Sequence, residues 1–127
     1  MEARQIIADS SVWVAYFYDK DSQHTRAVQV LEEESLPILV PEYILLETVT
    51  ILRQKKEELA LQKFMLAAMR DDVYLRARNL GIEVARLYAT PEYKKLSFVD
   101  VSLVLLSKEY RVITFDRALQ NVINKEP

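Results

Sequence analysis

Short apolar runs alternate along this chain with longer stretches in which apolar residues recur at helical spacing. The first run, Gln5–Ala8, ends at Asp9, and Ser10 and Ser11 are helix-start signals. Ser11–Tyr18 reads as a helix rich in aromatics, stopped by the polar turn at 19–22. Thr25–Glu34 is a second helix, with Ala27, Val28, Val30 and Leu31 on its apolar face. Ile38–Val40 reads as a buried strand between Pro37 and Pro41. Pro41 suits the first turn of the long helix that follows, where a missing N–H costs nothing, and that helix runs to about Lys56.

The next helix spans about Glu57–Met69, and a short strand is expected over Val73–Arg76. A helix from about Asn79 to Tyr88 contains Gly81, which weakens it by roughly 1 kcal/mol. Ser97 opens a strongly apolar helix to about Glu109, Arg111–Phe115 is a strand, and Asp116 starts the last helix. Strands alternating with helices, without hairpin signals, predict an α/β fold with a central parallel sheet of four or five strands. A length of 127 residues fits one domain, 1–127. Such sheets place their ligand crevice at the carboxyl ends of the strands, where Asp9 and Asp116 are expected.

Composition narrows the chemistry. No apolar run reaches the roughly 18–20 residues of a membrane span. The residues before Asp9 lack the features of a secretory signal, so a cytoplasmic protein is expected. The absence of cysteine excludes disulfides, thiolate zinc sites and a cysteine nucleophile. A net charge of −2 argues against a domain that holds nucleic acid by bulk electrostatics, though not against a metal-assisted enzyme acting on it. The run Glu32–Glu34 reads as a solvated helix end.

Four acidic residues stand out. Asp9, Asp100 and Asp116 lie beside apolar runs, in IIADSS, LSFVD and VITFD, and Glu47 is embedded in YILLETVTIL. Each aspartate has an ordinary explanation as a helix cap: Asp9 and Asp116 as N-caps, Asp100 in a capping box with Ser97. Glu47 lies mid-helix with Ile44 and Ile51 a turn away and has no such role. A carboxylate among aliphatics must be paired, protonated or bound to a cation, and four that converge make an oxygen-only site for a hard divalent ion. His24, in SQHTR, is expected at the surface, and Trp13 with Tyr16 and Phe17 in the core. Lys94, Lys95 and Arg117 flank the acidic motifs, either solvated or placed where a phosphate backbone would pass. Leu59, Leu61, Phe64, Met65 and Met69 exceed what one small sheet can cover, so they are expected to form an uncovered interface face.

The whole chain resembles the PIN domain family, most of all the VapC-type ribonuclease toxins of type II toxin–antitoxin pairs. The matching segments are Asp9 with Ser10 and Ser11, Glu47 in PEYILLETVTIL, Asp100 in LSFVDVSLV and Asp116 in ITFDR. The resemblance implies a small three-layer α/β/α sandwich and Mg²⁺- or Mn²⁺-dependent cleavage of RNA phosphodiester bonds. It also implies a homodimer and a cognate antitoxin that blocks the site. Asp9, Glu47, Asp100 and Asp116 would be the catalytic set, with Asp9, Asp100 and Asp116 as direct metal ligands. Glu47 would be a ligand through water or would orient the attacking water, and Ser10, Ser11 and Thr114 would fix carboxylate rotamers. The chain departs from the family where the last motif continues as DRALQNV, where Tyr110-Arg111 replaces a glycine, and where a final strand after Asn121 is short or missing. Two alternatives stand beside this reading: a degenerate PIN-fold module that only engages a partner, and a phospho-receiver-like Mg²⁺-binding domain.

Overall fold

The structure, a computed structural model, describes residues 4–77 and 79–125. Four strands, β1 (Ile6–Ala8), β2 (Ile38–Pro41), β3 (Tyr74–Leu75) and β4 (Arg111–Ile113), pair in parallel in the order β3-β2-β1-β4. Ile7 faces Leu39 on one side and Val112 on the other. β1 is buried along its length, which is what a central strand covered on both faces requires and why its sequence is aliphatic without alternation.

Seven α-helices among the described residues surround the sheet: α1 (Ser10–Phe17), α2 (His24–Glu32), α3 (Glu42–Gln54), α4 (Glu58–Ala68), α5 (Leu80–Tyr88), α6 (Phe98–Leu106) and α7 (Arg117–Lys125). Right-handed crossovers from β1 to β2 and on to β3 put α1–α4 on one face, and the return from β3 to β4 puts α5 and α6 on the other. The packing agrees: α1 lies against α2, α3 and α4, and α5 lies against α6. The expected α/β/α sandwich is therefore present. The direction of winding reverses between β1 and β4, so the crevice of an open parallel sheet falls at their carboxyl ends.

The aromatic part of the core is as expected at Trp13, which stacks on Phe17 with centroids 6.1 Å apart and meets Phe64 at 5.9 Å. Phe64 itself is fully buried and so leaves the expected interface face, whereas Leu59, Leu66 and Met69 of α4 are well exposed. A helix can present only one stripe to the core, and Ala60, Phe64 and Ala68 form it.

Other expectations shift at element ends. Pro41 closes β2 and caps α3 with extended backbone (φ −64°, ψ 151°) instead of entering the first helical turn. α6 stops at Leu106 rather than Glu109, and β4 ends at Ile113, two residues short of Phe115. A 3₁₀ turn at Pro91–Tyr93 was not foreseen. His24 is half-buried, and its Nδ1 donates to the Ala15 carbonyl at 2.7 Å, tying the start of α2 to α1. α3 ends in a Schellman motif: Glu57 N–H bonds Leu52 O at 3.1 Å and Lys56 N–H bonds Arg53 O at 3.0 Å. Lys56 takes the left-handed position (φ 59°) that glycine normally fills. After Asn121 the described chain stays helical to Lys125.

Gly81, the chain's one glycine, sits inside α5 where a Cβ would stand 2.8 Å from the Tyr43 hydroxyl. Alanine there would gain roughly 1 kcal/mol of helix propensity, but it must push a tyrosine aside. Gly81→Ala is therefore expected to lower the unfolding free energy, by about 1 kcal/mol, in urea denaturation. In a Tyr43→Phe background the same substitution is expected to raise it. Stabilisation in both backgrounds would show that the hydroxyl is not the reason for the glycine.

Candidate active site

Asp9 leaves the end of β1 and enters α1 as its N-cap. Only 4 % of it is exposed, so its charge must be met locally. The Ser10 N–H donates to Oδ1 at 2.7 Å, and the Thr114 hydroxyl donates to Oδ2 at 2.8 Å. Ser11 Oγ is at 3.4 Å from Oδ2. The Asp9 N–H also bonds Ile113 O at 2.8 Å, continuing the β1–β4 ladder into the crevice.

Thr114 connects the first acid to the last. Its hydroxyl, while donating to Asp9, accepts from the Asp116 N–H at 3.1 Å. Asp116 in turn caps α7, accepting from the Leu119 N–H at 3.1 Å. Ser10 links Asp9 to α3: its hydroxyl donates to Glu47 Oε1 while lying 3.4 Å from Asp9 Oδ1. One hydroxyl proton cannot serve two carboxylates, so this bridge is complete only when one of the acids is protonated or another cation intervenes. Asp100 occupies the third position of α6 in a full capping box, its N–H bonding Ser97 Oγ at 3.0 Å and its Oδ2 accepting from Ser97 N–H at 3.2 Å.

The electrostatics follow from burial. Desolvation pushes the Asp9 carboxyl above the usual range, the Thr114 and Ser10 hydrogen bonds oppose this, and the charges of Asp100 and Asp116 add to it. Glu47 is raised chiefly by burial, against its bond from Ser10, and further by Asp9 and Asp100. Asp100 is raised by burial, eased by Ser97, and raised again by Asp116. The charges of Asp100 and Asp116 thus reach Asp9, and those of Asp9 and Asp100 reach Glu47. Among the described residues no three acids stand close enough to grip one ion as they are. An all-carboxylate set, partly desolvated and mutually repelling, is nonetheless the donor chemistry that suits a hard divalent cation.

Lys94 and Lys95 are exposed just ahead of α6, and Arg117 is exposed at the start of α7. The residue that sequence reasoning missed is Arg26 of α2, whose guanidinium lies over the Phe115 ring, 4.2 Å from its centroid, beside Asp116 in the chain. Nothing in the pattern of α2 distinguishes Arg26 from a solvated cation, because its partner belongs to a remote loop.

The raised carboxyls carry a stability consequence. A group that holds its proton more tightly when folded stabilises the fold fully below its unfolded value, and this is lost as pH rises through the raised folded value. In EDTA the melting temperature of the wild type should therefore fall relative to Asp9→Asn as pH rises from the ordinary carboxylate range, about 4, toward 7. A difference in melting temperature that stays flat over this window would show that Asp9 is not strained by its neighbours.

A family model for the PIN domain matches residues 6–125. Among solved structures, Mycobacterium tuberculosis VapC20, described as a sarcin-ricin loop cleaving toxin, superposes with a TM-score of 0.81 at 18 % identity, covering 92 % of this chain and 94 % of that one. No curated protein sequence matches significantly.

Proposed function

Because the chain belongs to the PIN domain family, we propose that it is a Mg²⁺- or Mn²⁺-dependent endoribonuclease, acting as the toxin of a toxin–antitoxin pair. The observation that carries this reading is the Ser10 hydroxyl bridging the Glu47 and Asp9 carboxylates, with Thr114 tying Asp9 to the Asp116 backbone N–H and Asp100 beside them in charge. The fold shared with VapC20, described as a sarcin-ricin loop cleaving toxin, supports it. Family membership also sets aside the phospho-receiver alternative.

In this reading Asp9, Asp100 and Asp116 would hold the cation. When bound, the ion lowers the pKa of its water and neutralises charge on phosphoryl oxygens. Thr114 and Ser10 fix the two Asp9 oxygens, and thereby the direction in which their lone pairs face the basin. Glu47, raised by burial and held by Ser10, is the acceptor for the proton of the attacking water. The water oxygen bonds to phosphorus and the bridging oxygen leaves with its electron pair. Lys94, Lys95 and Arg117 are the backbone contacts flanking the basin, and Arg26 is added to them here.

Two partners belong to the same proposal. Exposed Leu59, Leu66 and Met69 on α4 support pairing with a second copy. An apolar groove of about 490 Å³ lined in part by Trp13, Phe17, Leu31, Leu36 and Phe64 supports a docking antitoxin segment. The buried Trp13 indole N–H has no acceptor among the described residues. An arginine from such a partner would pair with the acids and compete with the cation.

Purified protein is expected to cut RNA with Mg²⁺ or Mn²⁺ and to stop in EDTA. Asp9→Asn should remove measurable cleavage, and Thr114→Val should lower the rate roughly 10- to 100-fold, both with native circular dichroism. Cleavage by Asp9→Asn at the wild-type rate would end the proposal. For the pairing of copies, light scattering at micromolar concentration should give a dimer mass that falls to a monomer in Leu59→Glu/Leu66→Glu. A wild-type monomer would refute that interface.

A further inference from the structure

Beside the acidic crevice, rings from three helices meet at the surface. Tyr43 of α3 and Tyr88 of α5 each pack edge-to-face on Phe98 of α6, with centroids 5.6 Å and 5.9 Å away. Tyr88 is 45 % exposed and Phe98 36 %. The assembly is specified by the backbone as well as by the rings, since Gly81 of α5 leaves the space that the Tyr43 hydroxyl occupies.

The trio adjoins the acids. Tyr43 lies one helical turn before Glu47 on α3, and Phe98 is two residues before Asp100 on α6. A groove of about 320 Å³ is lined by Tyr43, Leu46, Glu47, Thr50, Ile51 and Val99, so the bracing ring and one of the acids share it. Exposed Lys94 and Lys95 stand just before α6.

We propose that Phe98 and Tyr88, braced by Tyr43, form a stacking platform for an unpaired base next to the phosphate that is cut. This rests on the nuclease reading above and adds a positioning role to residues outside the acid set. Every base presents a π-face, so such a platform orders a strand without reading its sequence. It needs a base that has left its helix, as single strands and loops provide.

The test uses a single-stranded RNA carrying 2-aminopurine, with binding read separately from cleavage. Wild type and the cleavage-deficient Asp9→Asn should both quench the fluorophore on binding. Phe98→Leu and Tyr88→Leu keep the apolar bulk but lose the ring. Each should bind about tenfold more weakly with the quench diminished, whereas Phe98→Tyr and Tyr88→Phe should retain both. In cleavage the leucine variants should raise KM and leave kcat nearly unchanged. The platform is overturned if the leucine variants keep wild-type quench and KM, or if wild type shows no quench. It is also overturned if the losses come with a change of mass in light scattering, since that would make the face an interface between copies. A quench that depends on the rings, with no Asp9-dependent cleavage, would uphold the platform and overturn the nuclease reading instead.

Discussion

A nearly inaccessible carboxylate governs this structure. An isolated buried anion costs several kcal/mol even after the protein relaxes around it, and the residue that carries this one is held from three directions. Its own helix supplies an N–H, the end of β4 supplies the Thr114 hydroxyl, and the Asp9 backbone continues the ladder to Ile113. Those contacts fix how α1 leaves the sheet and how closely the loop after β4 must follow it. Ser10, positioned by the same turn, then reaches across to α3.

Capping and site formation are the same physics here. Asp9, Asp100 and Asp116 all sit at or within the first turn of a helix, so each of the three lies at a helix N-terminus. The partial positive charge at those ends offsets part of the repulsion among the acids, by a few tenths to about 1 kcal/mol each. A stable cluster of anions on a marginally stable protein needs such compensation. Glu47, arriving mid-helix, has none of it and depends on the Ser10 hydroxyl.

Much of this was legible in the sequence because the signals were strong and local. Parallel strands buried on both faces must be aliphatic, and helix starts must be capped, so Ile6–Ala8, Ser97 and Asp116 announced themselves. Asp9, Asp100 and Asp116 stood out in this way, whereas Glu47 stood out because it lies mid-helix among aliphatics without a capping role. What was not legible depends on which residue meets which across space. The helical stripe of α4 could not say which side faced inward, and Phe64 went to the core while Leu66 went to solvent. His24 looked like a turn residue because its acceptor, the Ala15 carbonyl, leaves no mark in sequence. Arg26 over Phe115 and Tyr43 over Gly81 are likewise products of tertiary packing. The short β4 shows the same limit: Thr114 and Phe115 have strand-like character, but Thr114 is drawn off to Asp9.

The Asp9–Thr114 hydrogen bond spans 105 positions of sequence. Contacts of such separation close late, since the loop they seal carries the largest entropy cost. During synthesis, a chain extended through α6 already displays Asp9, Glu47 and Asp100 yet lacks the strand and hydroxyl that set the first of them. Asp9 therefore gains its Thr114 hydroxyl only after β4, the last strand of the described residues, has joined the sheet.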